Sequence, residues 1–169
     1  GETLKSHTRL RGGYNANNGN QNPASNPVTL TGDVNGDDLP GGVNRAENSS
    51  RVLVAEDVED VIIEGVTIRG ANVGGTGGGV RLVDVTGAQI IDSIIEDNDA
   101  GSGAGVYAFD SEVSISNSII RGNRGGNGAA GLRFQGTSMG TITDSEISGN
   151  TTTDSGGALS FRGGATGFI

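Results

Sequence analysis

Gly77–Asn98, GGGVRLVDVTGAQIIDSIIEDN, runs as a glycine turn, a short apolar stretch, a turn, two further apolar stretches and a closing asparagine. The pattern returns at Gly103–Asn123, GAGVYAFDSEVSISNSIIRGN, and at Ala130–Asn150, AGLRFQGTSMGTITDSEISGN, and Gly156–Arg162, GGALSFR, opens another copy. Val80, Val106, Leu132 and Leu159 are separated by 26, 26 and 27 residues. The closing asparagines Asn72, Asn98, Asn123 and Asn150 are spaced 26, 25 and 27. Self-similarity at this period marks an array in which each unit buries its apolar face only against its neighbours.

Arg51–Val54, Val61–Ile63 and Val66–Ile68 fit the same pattern one copy earlier. Aligning the copies stacks Ile63, Ile90, Ile115 and Ile142 in one column, and Ile68, Ile95, Ile120 and Ile147 in another. Leu82, Ala108, Phe134 and Phe161 form a third, whose residue size varies from copy to copy. The apolar runs are too short for helices and rich in β-branched residues, which suit a pleated strand. Three short strands per coil, each stacked on its equivalent, predict parallel ladders about 4.8 Å apart with alternate residues pointing inward. The glycine-rich segments Gly74–Gly79, Gly101–Gly105 and Gly125–Gly131 share one phase and predict sharp corners. Two columns of short polar residues recur, Asn98/Asn123/Asn150 and Asp92/Asn117/Asp144. The asparagines are either an amide ladder inside a corner or turn formers exposed to water; their role is structural in both cases.

The first part of the chain is less regular. Thr3–Lys5, Thr8–Leu10 and Val28–Leu30 make one imperfect coil. Asn15–Pro27, NANNGNQNPASNP, is a loop whose prolines exclude helix. Thr31–Ser50 is a second excursion. The expected organisation is one domain over residues 1–169, with an irregular first coil at 1–50 and regular coils at 51–169. The first and last residues fall inside repeat units, which suggests a piece of something longer or a unit that joins end to end. Apolar Phe168–Ile169 lacks a recognisable cap, so self-association through open β-helix ends is one expected partner mode.

Composition narrows the function classes. Glycine supplies 32 of 169 residues without a G-X-Y period, which excludes collagen. The hydrophobic share of 33% is thin for a globule but enough for a narrow axial core, and its phasing argues against disorder. A net charge of −9 repels phosphate backbones, so no nucleic acid partner is expected. No run is apolar and long enough to cross a bilayer. The absence of cysteine removes disulfides and thiolate metal sites. Gly1–Leu10 carries no signal-peptide stretch.

Thr3–Tyr14 (TLKSHTRLRGGY), Asn26–Asp33 (NPVTLTGD), Val66–Gly70 (VTIRG) and the GGG-V…SII-x-x-N units together resemble a known group. They look like right-handed parallel β-helix repeat proteins of the pectin-lyase-like superfamily, and within it like bacterial polymorphic-membrane-protein-like surface proteins. The resemblance implies an all-β, right-handed, single-stranded parallel β-helix of roughly five to six coils. The right-handed crossover rule points the same way. It also implies a secreted or surface-anchored passenger, adhesin or envelope component, placed outside the cell or on its surface.

The sharpest local signal is Asp33-Val-Asn35-Gly-Asp37-Asp38. Oxygen ligands at alternate positions resemble the first half of a calcium loop, with Asp33, Asn35, Asp37 and Asp38 as ligands and calcium as the cofactor. The second half departs from that pattern: Asp38 stands where glycine is wanted and Asn44 where a bidentate acid is wanted. Glu47 contributes only to a longer loop. The bland alternative is a polar Asx-rich turn. Asp84 and Asp110 occupy equivalent positions in adjacent coils, as do Asp92 and Asp144 with Asn117 between them. A glycosidase needs two carboxylates flanking the scissile bond, and a lyase needs a base with a cation. These acids read instead as a solvated face, and no catalytic residue is assigned. His7 stands alone, short of a metal site. Arg69, Glu96 and Arg121 share a column, where opposite charges favour register.

The expected function is therefore a non-catalytic structural or adhesive module of an exported protein, with the excursions as its contact surface toward a host surface or carbohydrate ligand. End-to-end filament assembly is compatible with it. The alternative is a polysaccharide lyase or glycosidase-like domain whose catalytic coils lie elsewhere.

Overall fold

A computed structural model of the chain describes residues 1–39, 42–154 and 156–169. Pro40 and Gly41, inside the second excursion, and Ser155 lie outside the described residues. Every regular element among the described residues is a strand, and all strand pairs are parallel. Among the described residues no helix is long and apolar enough to cross a membrane.

The strands stack into four sheets. The first contains Glu2–Leu4, Leu53–Glu59, Val80–Thr86, Val106–Phe109, Leu132–Gln135 and Leu159–Phe161. The second contains Arg9–Arg11, Ile62–Glu64, Ala88–Ile91, Glu112–Ser116, Met139–Thr143 and Thr166–Phe168. The third contains Thr29–Thr31, Thr67–Arg69, Ile94–Glu96, Ile119–Arg121 and Glu146–Ser148. A fourth, absent from the sequence expectation of three strands per coil, contains Asn72–Thr76, Asp99–Ser102, Arg124–Gly125 and Thr151–Thr152. It takes up part of the glycine-rich segments read as corners. Small residues there let neighbouring coils approach: a Cβ on Gly101 would lie 2.8 Å from the Gly75 carbonyl oxygen. Four coils carry a strand in every sheet, and partial turns flank them on both sides.

The expected columns hold. Leu10, Ile63, Ile90, Ile115 and Ile142 are register partners in succession. So are Leu30, Ile68, Ile95, Ile120 and Ile147. Leu4, Ala55, Leu82, Ala108, Phe134 and Phe161 complete the first sheet's inner rail. Its size variation has a packing reason, because the second sheet compensates across the core. Ala108 shares its coil with Val113, whereas Phe134 shares its coil with Gly140, the register partner of Val113. A Cβ on Gly140 would lie 2.6 Å from the Phe134 ring. Phe134 and Phe161 stack with ring centroids 4.9 Å apart.

Asparagine ladders one corner. Asn98 and Asn123 are fully buried. The Asn98 amide donates to Asn123 Oδ1 at 3.0 Å and to the Ile68 carbonyl at 3.1 Å. Asn123 does the same to Asn150 Oδ1 at 2.9 Å and the Ile95 carbonyl at 3.0 Å. Asn72 does not belong to this ladder. It pairs in register with Asp99, and the phase of Asn98 is held one coil earlier by Ala71, whose N–H donates to Asn98 Oδ1. Two serine ladders line other corners. Ser93 N–H donates to Ser118 Oγ and Ser118 N–H to Ser145 Oγ, at 3.2 and 3.1 Å. Val85 and Ser111 donate likewise to Ser111 and Ser138, at 3.0 and 3.1 Å.

Candidate functional site

The repeated acids sit where the backbone turns. Asp57, Asp84 and Asp110 have φ of 53, 52 and 48°, and Gly136 and Gly163 continue their column at 72 and 74°. Asp92, Asn117 and Asp144 all have φ of 49°, with Gly65 beneath them at 69°. Short Asx residues are the non-glycine types that best tolerate this left-handed region. Each Asp column therefore alternates with Asn or Gly, and the shared requirement is the φ value. Asp110 also caps the next coil, its Oδ1 accepting from the Thr137 N–H at 2.7 Å and hydroxyl at 2.9 Å. His7 lies in the open, 3.1 Å from Asp60 and 3.5 Å from Glu59.

The second excursion folds onto the coils through a buried cation. Arg45 is 7% exposed; its guanidinium donates to the Asp97 carbonyl at 2.6 Å and lies 3.3 Å from Asp99 and 3.7 Å from Asp38. Arg124 pairs with the same Asp99 at 2.7 Å. Asn48 donates to Asp38 at 2.9 Å and to the Gly70 carbonyl at 2.7 Å. Asn72 closes the seam by donating to the Arg45 carbonyl at 2.6 Å.

The four residues nominated for calcium divide. Carboxylate oxygens of Asp33, Asp37 and Glu47 come within 4.8 Å of one another, so Glu47 joins the set the sequence left conditional. Asp38 is outside that set and is held by Arg45 and Asn48. Asn35 makes no side-chain hydrogen bond among the described residues. Asp33 is already engaged as a turn former: Oδ1 accepts from the Gly36 and Asp37 N–H groups at 2.7 and 3.2 Å, and Oδ2 from Asp38 at 3.4 Å. Three carboxylates supply fewer than the six to eight oxygens calcium takes, leaving the balance to backbone carbonyls and water.

On the outer face of the coils, Arg121 pairs with Glu96 at 2.8 Å, and this hydrogen bond raises the arginine's pKa. Arg81 lies beside Glu56; burial lowers its pKa, and nearby Arg51 adds to that effect.

A cavity of about 660 Å³ opens between the first excursion and the outer face of the third sheet. Thr67, Ile94 and Ile119 line it from the third sheet, Pro23 and Pro27 from the loop, Val28 from the rung below Thr67, and Asp92 with Asn117 from the corner. Asp92 reaches the cavity because its corner holds it at positive φ between the second and third sheets.

Stacked parallel rungs with side-chain ladders shared from coil to coil define a parallel β-solenoid. Residues 78–169 match the family described as right handed beta helix region, and the chain belongs to that family. No curated protein and no solved structure matches it.

Proposed function

We propose that this chain is a non-catalytic β-helix module of an exported protein, a rigid stack that presents its two excursions as contact surfaces. The observation that supports it most is the occupancy of the repeated acid positions. Asp84 and Asp110 share their column with Gly136, and Asp92 and Asp144 share theirs with Asn117 and Gly65, all at positive φ. A catalytic pair needs its carboxylates for the reaction, whereas these positions need a backbone conformation and accept residues without a carboxylate. Placement at the cell surface, with an adhesive role, rests on the resemblance of the repeat units to surface proteins of the polymorphic-membrane-protein type.

The test incubates the purified chain with polygalacturonate and alginate at neutral pH with calcium, and follows unsaturated products and new reducing ends. Neither is expected; sustained turnover would replace this reading with a polysaccharide-active one. Fractionation of the producing cells, with antibody detection on intact cells, tests the surface location. Calcium enters the same reading as a ligand of the second excursion, supported by the convergence of Asp33, Asp37 and Glu47. Calorimetric titration with calcium chloride is expected to give a heat that Asp37→Asn and Glu47→Gln abolish. A flat titration removes calcium from the account.

A further inference from the structure

We propose that the cavity under the first excursion binds a small aliphatic amine, its ammonium against Asp92 and its chain along Ile94 and Ile119. This site stands apart from the scaffold reading, since it needs neither export nor the absence of catalysis.

Three observations lead there. The volume of about 660 Å³ lies within the range of small-molecule pockets, and its lining is mostly apolar. The third-sheet lining is unusual for an outward sheet face. Thr67, Ile94 and Ile119 are successive register partners, whereas the neighbouring outward column carries Arg69, Glu96 and Arg121. Two isoleucines thus lie partly open to water in the cavity that the prolines of the loop also line. Third, Asp92 is the one ionisable side chain in the lining, and among the described residues its carboxylate makes no ion pair or hydrogen bond.

Charge complementarity selects the ligand's head. The exposed Asp92 carboxylate at the end of this groove favours a cation over an anion, and the chain's net charge of −9 acts in the same direction. The third-sheet column selects its body. Rungs about 4.8 Å apart make Thr67 to Ile119 a track of about 10 Å, the length of a short alkyl chain. No aromatic ring lines the cavity to stack on a sugar.

The test titrates the ¹⁵N-labelled chain at pH 7 with hexylammonium chloride, hexanol and sodium hexanoate, followed by amide chemical shifts. Hexylammonium is expected to give saturable shifts at Thr67, Ile94, Asn117 and Ile119, with about five-fold tighter binding than hexanol, the scale of a partly exposed ion pair. Hexanoate is expected to give none. Asp92→Asn keeps the corner, because Asn117 occupies the equivalent position at the same φ, and should bring hexylammonium down to the hexanol affinity. Ile94→Thr, which repeats the residue type that Thr67 already places in this column, should weaken both. Equal binding of hexylammonium and hexanol by the wild-type chain, an unchanged ratio in Asp92→Asn, or an absence of saturable shifts at these residues overturns the proposal.

Discussion

Asn123 touches three coils at once, donating to Asn150 and the Ile95 carbonyl while its Oδ1 accepts from Asn98. Replacing it with leucine keeps the volume but strands buried partners on both sides. Asn123→Leu is therefore expected to lower stability by about 3 kcal/mol, read from the urea midpoint at unchanged m. The Asp corners behave differently, because conformation is what they supply. Asp84→Gly should change stability by less than about 1 kcal/mol, whereas Asp84→Val, with a branched Cβ at φ of 52°, should cost about 2 kcal/mol in the same assay. The isoleucine columns and the recurrence of Asn98, Asn123 and Asn150 are visible in the sequence because inward residues must repeat with the coil; that these asparagines face inward as a ladder, and not outward as turn formers, is seen only in the fold. Asn72 misled for a simple reason: coil length varies by one or two residues, so matching asparagines slipped a phase that Ile68 holds correctly. The serine ladders stayed hidden because a serine after Asp or Asn reads like any turn. Only the corner geometry shows Ser93 and Ser118 facing inward.

Between elements, the coil is a volume-matching problem solved across two sheets. Phe134 fits because Gly140 opposes it, so Gly140→Ala should destabilise the chain by about 2 kcal/mol. Adding Phe134→Leu should recover part of that loss, giving a double mutant more stable than the sum of the two changes, as measured by a thermal-unfolding cycle. The excursions obey another logic. Arg45 fixes the second one through Asp38, Asp99 and the Asp97 carbonyl. Arg45→Gln leaves the buried Asp38 carboxylate without its cation, while Asp99 keeps Arg124, and is expected to cost about 3 kcal/mol. Hydrogen exchange should accelerate across Asp33–Asp38 and Asn44–Asn48 before the coils respond. None of this docking was legible in sequence, because Arg45 meets Asp97 and Asp99 across more than fifty intervening residues and no period links them. The cavity escaped for the same reason: its lining residues come from segments far apart in the chain.

For the whole molecule, stability is close to a sum of coil terms and neighbour terms. Removing residues 104–129 joins Gly103 to Ala130 and offers Val80 the partner Leu132 in place of Val106, so every ladder closes again. That shortened chain should keep its strand-type circular dichroism and melt cooperatively, at a lower temperature. Removing residues 104–116 alone should abolish the cooperative melt, because that coil loses its strands Val106–Phe109 and Glu112–Ser116 and the first two sheets are interrupted there while the third is not. The shared Asn ladder carries the same condition into ancestry. A slipped recombination that copies one whole period of codons hands each new amide a donor below and an acceptor above. Copying half a period leaves both unmet. Lineages bearing such a gene are thus free to lengthen or shorten the stem only in whole steps, while the two insertions can drift in length without disturbing the count.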